Sequence, residues 1–296
     1  MKISIIGGNS FLGKSLIDAI LDNTTKKVEI EVFDKNYSSP HPSVSFVGID
    51  LLSRRSSEIL FTNGRPDIII DLIGSTQGVP QGYYESLVNL PVVTGSICDA
   101  LEGFGFKGRF LYISSTKILS NNYFHRFHHD ISESIIKDAS KKVGFKLSIL
   151  RIPNVVGKRE SPDGDMINNI IERILLGSDV TLPAKSSKID FIYITDVIGA
   201  IIALLKSGDA EFQNTNNLFG NLVVLEKICK NILTEIGYGK IEYIDTSTNS
   251  PYISEDSFRQ DFKIPKTGIT KKLIKELVKF RKDVLIKKGF VENLEV

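Results

Sequence analysis

Gly7, Gly8 and Gly13 stand at a spacing suited to gripping a phosphate, and they follow directly on an apolar segment, in Lys2-Ile-Ser-Ile-Ile-Gly-Gly-Asn-Ser-Phe-Leu-Gly13. Glycine at the first two positions lets a chain leaving a strand turn sharply, and glycine at the third lets the next helix pack close to the sheet. The backbone of Asn9, Ser10, Phe11 and Leu12, with the positive end of that helix, then forms an anion site. Ser10 takes the place of the middle glycine of such loops. Farther on, Asp34 closes the next apolar segment, Val28-Glu-Ile-Glu-Val-Phe33, where a carboxylate can take both hydroxyls of a ribose. The chemistry is dinucleotide binding. NAD is favoured over NADP, because a 2′-phosphate would meet like charge at Asp34.

Proton transfer has fewer candidates. His125, His128 and His129 lie close together, and an imidazole near its ordinary pKa of about 6.5 gives or takes a proton at neutral pH. His125 and His129 have the i, i+4 spacing of helix-borne metal ligands, but they lack an adjoining glutamate and a third ligand, so no metal is expected. A polar helix start without chemistry is the plain alternative for this group. His128 shares a face with Ile131 and Ile135 and reads as packing.

The elements that must position these residues alternate as βαβ units do. Leu12, Leu16, Ala19 and Ile20 repeat at helical spacing after the glycine loop, with Lys14, Asp18 and Asp22 facing out. A short strand Ser43–Val47 and a helix near Ser53–Phe61 precede Pro66-Asp-Ile-Ile-Ile-Asp-Leu-Ile73, whose continuous apolar run suits a strand covered on both faces. Gly74-Ser75 breaks it at the carboxyl end, where ligands of open α/β sheets collect. A helix from about Tyr84 to Leu101 leads to the strand Arg109–Ile113 and the hydroxyl cluster Ser114-Ser115-Thr116. A helix near His128–Val143 and the strand Lys146–Arg151 follow. The first 151 residues thus supply about six parallel strands, a doubly wound α/β sheet. Beyond Arg151 the chain turns to Gly, Pro and Asp, with helices predicted near Asp165–Leu176, Thr195–Leu205 and Thr270–Lys282. The strand Asp190–Ile194 and the helix after it read as a return to the first domain. The expected division is residues 1–152 plus 190–206 for the dinucleotide domain and 153–189 plus 207–296 for a smaller substrate lobe.

Bulk properties bound the function. A chain of 296 residues, 42% hydrophobic and 24% charged, can bury a full core. A formal net charge of +2 gives no electrostatic reason to expect nucleic acid as a partner. Two cysteines, Cys98 and Cys229, are too few for a disulfide framework and point to a reducing cytoplasm. No segment approaches the ~20 apolar residues of a membrane span, and the lysines of the C-terminal helix read as a solvated face.

In order along the chain, Gly7–Gly13, Asp34, Asp50-Leu51, Asp71-Leu-Ile-Gly74, Ile113-Ser-Ser115, Ile149-Leu-Arg-Ile-Pro-Asn-Val-Val-Gly157 and Asp190-Phe-Ile-Tyr-Ile-Thr-Asp-Val197 resemble the extended short-chain dehydrogenases/reductases. These are the nucleotide-sugar epimerases, dehydratases and 4-ketosugar reductases, and the resemblance covers essentially the whole chain. It implies a Rossmann sheet and adds Asp50, Leu51, Leu72 and Gly74 to the cofactor contacts. It implies a catalytic Ser or Thr, which falls on Ser115, and a Tyr-x-x-x-Lys pair on the helix after the fifth strand. Matching Glu133 to the glutamate common in that helix puts the Tyr position on His125 and the Lys position on His129. No tyrosine of this chain is followed four residues later by lysine, although Tyr123 in the preceding loop is a nearby alternative.

The resemblance further implies a nucleotide-sugar substrate, with Asn154 against its diphosphate and Leu182 near the base, and Ser75 and Thr116 are expected to contact it as well. The basic residue that relatives often carry directly before Asp190 is Ile189 here, so Lys188 (or Lys185) is the candidate for that phosphate contact, with Arg259 approaching the diphosphate from the C-terminal lobe. It leaves room for a homodimer. An imidazolium at His125 can protonate the alkoxide formed when hydride reaches a ketone, whereas abstracting a hydroxyl proton needs a stronger base. The expectation is therefore an NAD-dependent reductase of an NDP-4-keto-6-deoxyhexose in surface polysaccharide synthesis of the O-antigen type. A nucleotide-sugar epimerase or dehydratase and a catalytically silent binder are the alternatives.

Overall fold

The computed structural model describes all residues except 24–26, 36–37, 54, 76–82, 120–122, 163, 245–256 and 292–296, and for 57, 75, 83–88, 123–125 and 257 it describes the backbone alone. In chain order the elements begin β1 (Lys2–Ile6), α1 (Phe11–Asn23), β2 (Glu29–Asp34), β3 (Ser45–Gly48), α2 (Ser56–Ile59), β4 (Ile68–Asp71), α3 (Tyr83–Phe104), β5 (Arg109–Ser115), α4 (Tyr123–Val143) and β6 (Lys146–Ile152). They continue β7 (Asn154–Val156), α5 (Met166–Leu175), β8 (Val180–Leu182), β9 (Lys188–Tyr193), α6 (Ile194–Lys206), α7 (Asp209–Phe212) and β10 (Thr215–Asn217). The last are β11 (Asn221–Val224), α8 (Leu225–Ile236), β12 (Ile241–Tyr243), α9 (Ser257–Asp261) and α10 (Lys271–Lys287).

The chain forms two compact units. The first holds Met1–Ile152, Ile198–Leu218 and Asp256–Ile264, and the second holds Pro153–Val197, Phe219–Glu255 and Pro265–Val296. In the first, seven strands lie in the order β10-β6-β5-β4-β1-β2-β3, every pair parallel. The strand order reverses between β1 and β4, as in a doubly wound Rossmann sheet, and ligands of such sheets sit outside the carboxyl ends at that point. The Ile-rich β1 and β4 are buried almost throughout, as strands covered on both faces must be. Ile6, Phe33, Ile69, Ile97, Phe110 and Ile149 belong to one apolar cluster beneath the helices.

The second unit has a three-stranded sheet β11-β9-β7 and a two-stranded one, β12-β8. Ile170, Ile174 and Val180 pack with Ile228, Ile274 and Leu277. The strand at Asp190–Ile194 does not return to the large sheet. As β9 it pairs antiparallel with β11 and parallel with β7, and the seventh place of the large sheet goes to β10, beside β6. Thr215-Asn-Asn217 carries little strand signal, because an edge strand pairs on one side only and tolerates polar side chains.

Candidate active site at the carboxyl ends of the parallel strands

The glycine turn leaves β1 with Gly7 at φ +79°, a left-handed conformation that side chains resist. The Gly7 amide donates to the Phe33 carbonyl at 2.8 Å, tying the turn to β2. Ser10 caps α1: its Oγ accepts from the Gly13 amide at 3.1 Å and donates to the Gly7 carbonyl at 2.7 Å. The serine that replaces the middle glycine is thus what starts the helix. A Cβ on Gly13 would lie 2.5 Å from the Gly8 carbonyl oxygen, so α1 rests directly on the turn.

Asp34, at the end of β2, accepts from the Asn9 amide through Oδ2 at 3.0 Å. The carboxylate therefore belongs to the loop itself, and the Asn9 side chain extends the tie to the Ser38 carbonyl at 2.8 Å. Beyond β3, the Ile49 amide donates to the Asp34 carbonyl at 2.8 Å. Asp50 turns back on its own segment, accepting from the Leu52 amide at 3.0 Å, and Leu51 is buried.

At the end of β4, Leu72 is fully buried and its amide donates to the Ile6 carbonyl at 3.0 Å. The 3₁₀ turn Ile73–Ser75 follows. Its Gly74 is pressed against β5, since a Cβ there would lie 2.5 Å from the Ile113 carbonyl oxygen. Asp71, only 1% exposed, accepts from the Ile73 amide at 2.9 Å. Burial pushes its carboxyl up to about 7, with the Ile73 bond pulling weakly the other way. Tyr112, opposite Asp71 in the β4–β5 register, is pushed up first by burial and then by the Asp71 charge.

A carboxyl whose pKa is higher folded than unfolded contributes stability that is whole below the ordinary value of 3.8 and lost as pH rises through about 7. Asp71→Asn should therefore stabilise the protein at about pH 8 more than at about pH 5, read as the difference in melting temperature from wild type. An equal difference at both pH values would show that Asp71 ionises normally.

β5 ends at Ser115 and passes into the 3₁₀ turn Thr116–Leu119. The Ser115 Oγ accepts from the Lys117 amide at 3.2 Å, and Thr116 is half-buried at the start of the turn. α4 follows, with His125 in its first turn; the His125 side chain lies outside the described residues, as does that of Tyr123. His129 is 2% exposed, its ring centroid 4.2 Å from that of His128. Burial, and then the charges of His128, Lys117 and Arg151, push its imidazole down to about 3. His129 is therefore neutral and brings no positive charge to the position where the resemblance implies lysine. One turn on, Arg151 on β6 clasps the buried Glu133 with two bonds, Nε to Oε1 at 2.8 Å and Nη2 to Oε2 at 2.7 Å. Arg151 and Lys137 hold the Glu133 carboxyl below its usual range against the opposing effect of burial. That bidentate clasp fixes the rotation of α4 against the sheet.

The carboxyl ends of β1, β2, β4 and β5 thus gather the glycine turn, Asp34, Leu72, Gly74, Ser115 and Thr116 at one edge of the sheet. The Ser75 side chain lies outside the described residues. Asn154, Leu182 and Lys188 belong to the second unit. There the Asn154 amide donates to the Asp190 carbonyl at 3.0 Å, Leu182 is buried and Lys188 is exposed. Arg259 falls in the first unit and not in the C-terminal lobe. It is 8% exposed, with Nη1 donating to the Ile264 carbonyl at 3.4 Å. Among the described residues no group of three or more His, Cys, Asp or Glu could hold a metal ion, and no helix is long and apolar enough to cross a membrane.

A model of the NAD dependent epimerase/dehydratase family matches residues 3–218. The chain belongs to that family. The match takes in the whole glycine turn, the strands from Ile3 of β1 through β10, and Ser115. Among curated members, UDP-glucuronic acid decarboxylase 3 of Arabidopsis thaliana is 22% identical over 246 residues, covering 73% of this chain and 70% of that protein. CDP-abequose synthase of Salmonella muenchen is 27% identical over 136 residues, covering 42% of this chain and 46% of that protein. Among solved structures, UDP-glucuronic acid 4-epimerase from Bacillus cereus, in complex with UDP-glucuronic acid and NAD, superposes with a TM-score of 0.77. It is 18% identical and covers 96% of this chain and 100% of that one. The likeness of fold thus extends well beyond the likeness of sequence.

Proposed function

We propose that this chain is an NAD-dependent reductase of a nucleotide-linked 4-keto-6-deoxyhexose, working in surface polysaccharide synthesis. The observation that carries the reading is the Asp34 carboxylate bonded to the Asn9 amide inside the glycine turn, at the same sheet edge as Ser115. Those residues suit NAD. The Gly13 approach leaves a cradle that a side chain would fill, the start of α1 favours a diphosphate, and Asp34 offers a ribose an acceptor while repelling a 2′-phosphate. The decarboxylase, abequose synthase and epimerase names support a nucleotide sugar as substrate.

The bound cofactor supplies the hydride. The chain itself must hold the substrate carbonyl and deliver a proton. Ser115 presents its hydroxyl to the carbonyl oxygen, and His125, in the first turn of α4, gives the proton once the oxygen becomes an alkoxide. Alkoxides are strong bases, so an imidazolium suffices in this direction. Starting an epimerisation would require His125 to pull a proton from a neutral hydroxyl with no neighbouring cation from His129 to assist.

The test is His125→Ala against wild type, followed by NADH binding and by turnover of the CDP-, UDP- and dTDP-linked 4-keto-6-deoxyhexoses. Retained binding with turnover reduced about 100-fold or more is the expected result. Binding in both proteins with turnover in neither would instead identify a silent binder.

A further inference from the structure

We propose that the outer face of α10 docks this chain on an anionic phospholipid bilayer, through a row of lysines that meets the headgroup phosphates. Neither the surface nor its partner depends on the reductase reading.

Between residues 271 and 288 the sequence sets seven lysines and Arg281 against only Glu276 and Asp283, a net +6 in a chain whose total is +2, so the remaining residues sum to −4. At ~100° per residue, Lys271, Lys272, Lys275, Lys279 and Lys282 fall within an arc of about 100°, spread over about 16 Å of the helix axis. The first four are exposed and Lys282 is half-buried. The inner side of α10, with Leu273, Ile274, Leu277 and Val278, is buried in the apolar cluster of the second unit. Thr270 caps the first turn, its Oγ1 accepting from the Leu273 amide at 3.2 Å, and Arg281 is clamped from within by the Arg159 and Glu160 carbonyls and Glu172. The rotation of α10 is therefore fixed. The lysine row faces solvent ready-made, and docking has little left to order.

A merely solvated helix face mixes both signs of charge. Here Lys271, Lys275 and Lys279 recur at i, i+4, where like charges weaken a helix. Nearby carboxylates do little to cancel the row: Glu276 is engaged by Lys158 at 3.3 Å, and Lys275, 3.6 Å from Glu235, keeps 70% of its side chain exposed. A surface of fixed negative charge offsets that repulsion. The residue type selects the surface. Nucleic acids and phosphopeptides are gripped by arginine forks that match a phosphate, yet every cation of this row is lysine and Arg281 is turned inward. Lysines act as hydrated point charges suited to the diffuse field of a bilayer, and about four to eight of them on an amphipathic helix bind anionic lipid. Phe290, 67% exposed, stands just beyond Lys287 and Lys288, and an aromatic side chain beside lysines is at home in the headgroup boundary.

Sedimentation of the full chain with lipid vesicles tests the docking. The protein should bind vesicles of phosphatidylcholine with about 40 mol% phosphatidylglycerol, release them in about 0.5 M salt, and ignore phosphatidylcholine alone. The triple variant Lys271→Gln, Lys275→Gln, Lys279→Gln should lower the partition coefficient about 100-fold, with an unchanged melting temperature because all three side chains are exposed. The control variant Lys141→Gln, Lys206→Gln, Lys240→Gln removes the same charge from exposed positions elsewhere and should change the coefficient less than about threefold. Absence of binding to the anionic vesicles overturns the proposal, as does an equal effect of the two triple variants. Binding of duplex DNA in place of the vesicles would also overturn it and assign the row to a nucleic acid.

Discussion

Gly13→Val should abolish dinucleotide binding while leaving the second unit folded. Any Cβ at this position would lie 2.5 Å from the Gly8 carbonyl oxygen and 2.6 Å from its Cα. Both are backbone atoms, so no rotamer relieves the clash and α1 must move off the turn. The movement breaks the Ser10 cap on the Gly13 amide and pulls the positive helix end away from the phosphates. Overpacking of this kind costs about 1–3 kcal/mol, and with the anion site displaced as well, NADH affinity should fall about 100-fold or more. Fluorescence titration of NADH reads the loss directly. Gly13→Ala, with the same Cβ and less bulk, should show a smaller loss in the same direction. Unchanged affinity in both variants would show that the turn does not hold the cofactor.

Arg281→Met should give the largest loss of stability. Arg281 is fully buried on α10 although it lies in a lysine-rich helix. Its Nη1 donates to the Glu160 carbonyl at 2.8 Å and to Glu172 Oε2 at 3.1 Å, and its Nη2 donates to the Arg159 carbonyl at 2.7 Å and to Asn168 Oδ1 at 3.3 Å. Methionine fills much of the volume but removes the donor to the Arg159 carbonyl, the Asn168 amide oxygen and the Glu172 carboxylate, and leaves the Glu160 carbonyl with only the 3.4 Å bond from Lys288 Nζ. Breaking a buried ionic network from one side costs about 3–5 kcal/mol, and lysine cannot restore the planar fork. Lys275, exposed on the same helix and paired with Glu235, should tolerate methionine within about 0.5 kcal/mol. Denaturant unfolding of both variants checks the contrast; equal midpoints would show that the buried network adds nothing.

The glycine turn, Asp34 and the parallel sheet were legible because each depends on local residue types. A continuous Ile run suits a doubly covered strand, Gly7 permits a left-handed turn, and a carboxylate ends β2. The role of Ser10 was hidden because a departure from the glycine pattern also serves as a helix cap. β9 was misassigned because an apolar strand can enter any sheet, and its partner β11 lies far along the chain. Arg281 read as one more solvated cation, since its acceptors come from a segment more than a hundred residues away. His129 looked able to titrate until its burial and the neighbouring charges were known. In the candidate site, the residues proposed to bind were marked by motif, while the charge states around α4 depend on burial and on the Glu133–Arg151 clasp.

The most direct measurement is the change in reduced-nicotinamide absorbance when wild-type protein with NADH is given the CDP-, UDP- and dTDP-linked 4-keto-6-deoxyhexoses in turn. A reductase consumes one equivalent of NADH per equivalent of one of these sugars, with the 4-hydroxy sugar as product. Tight NADH binding with no absorbance change for any of them would contradict the reductase assignment.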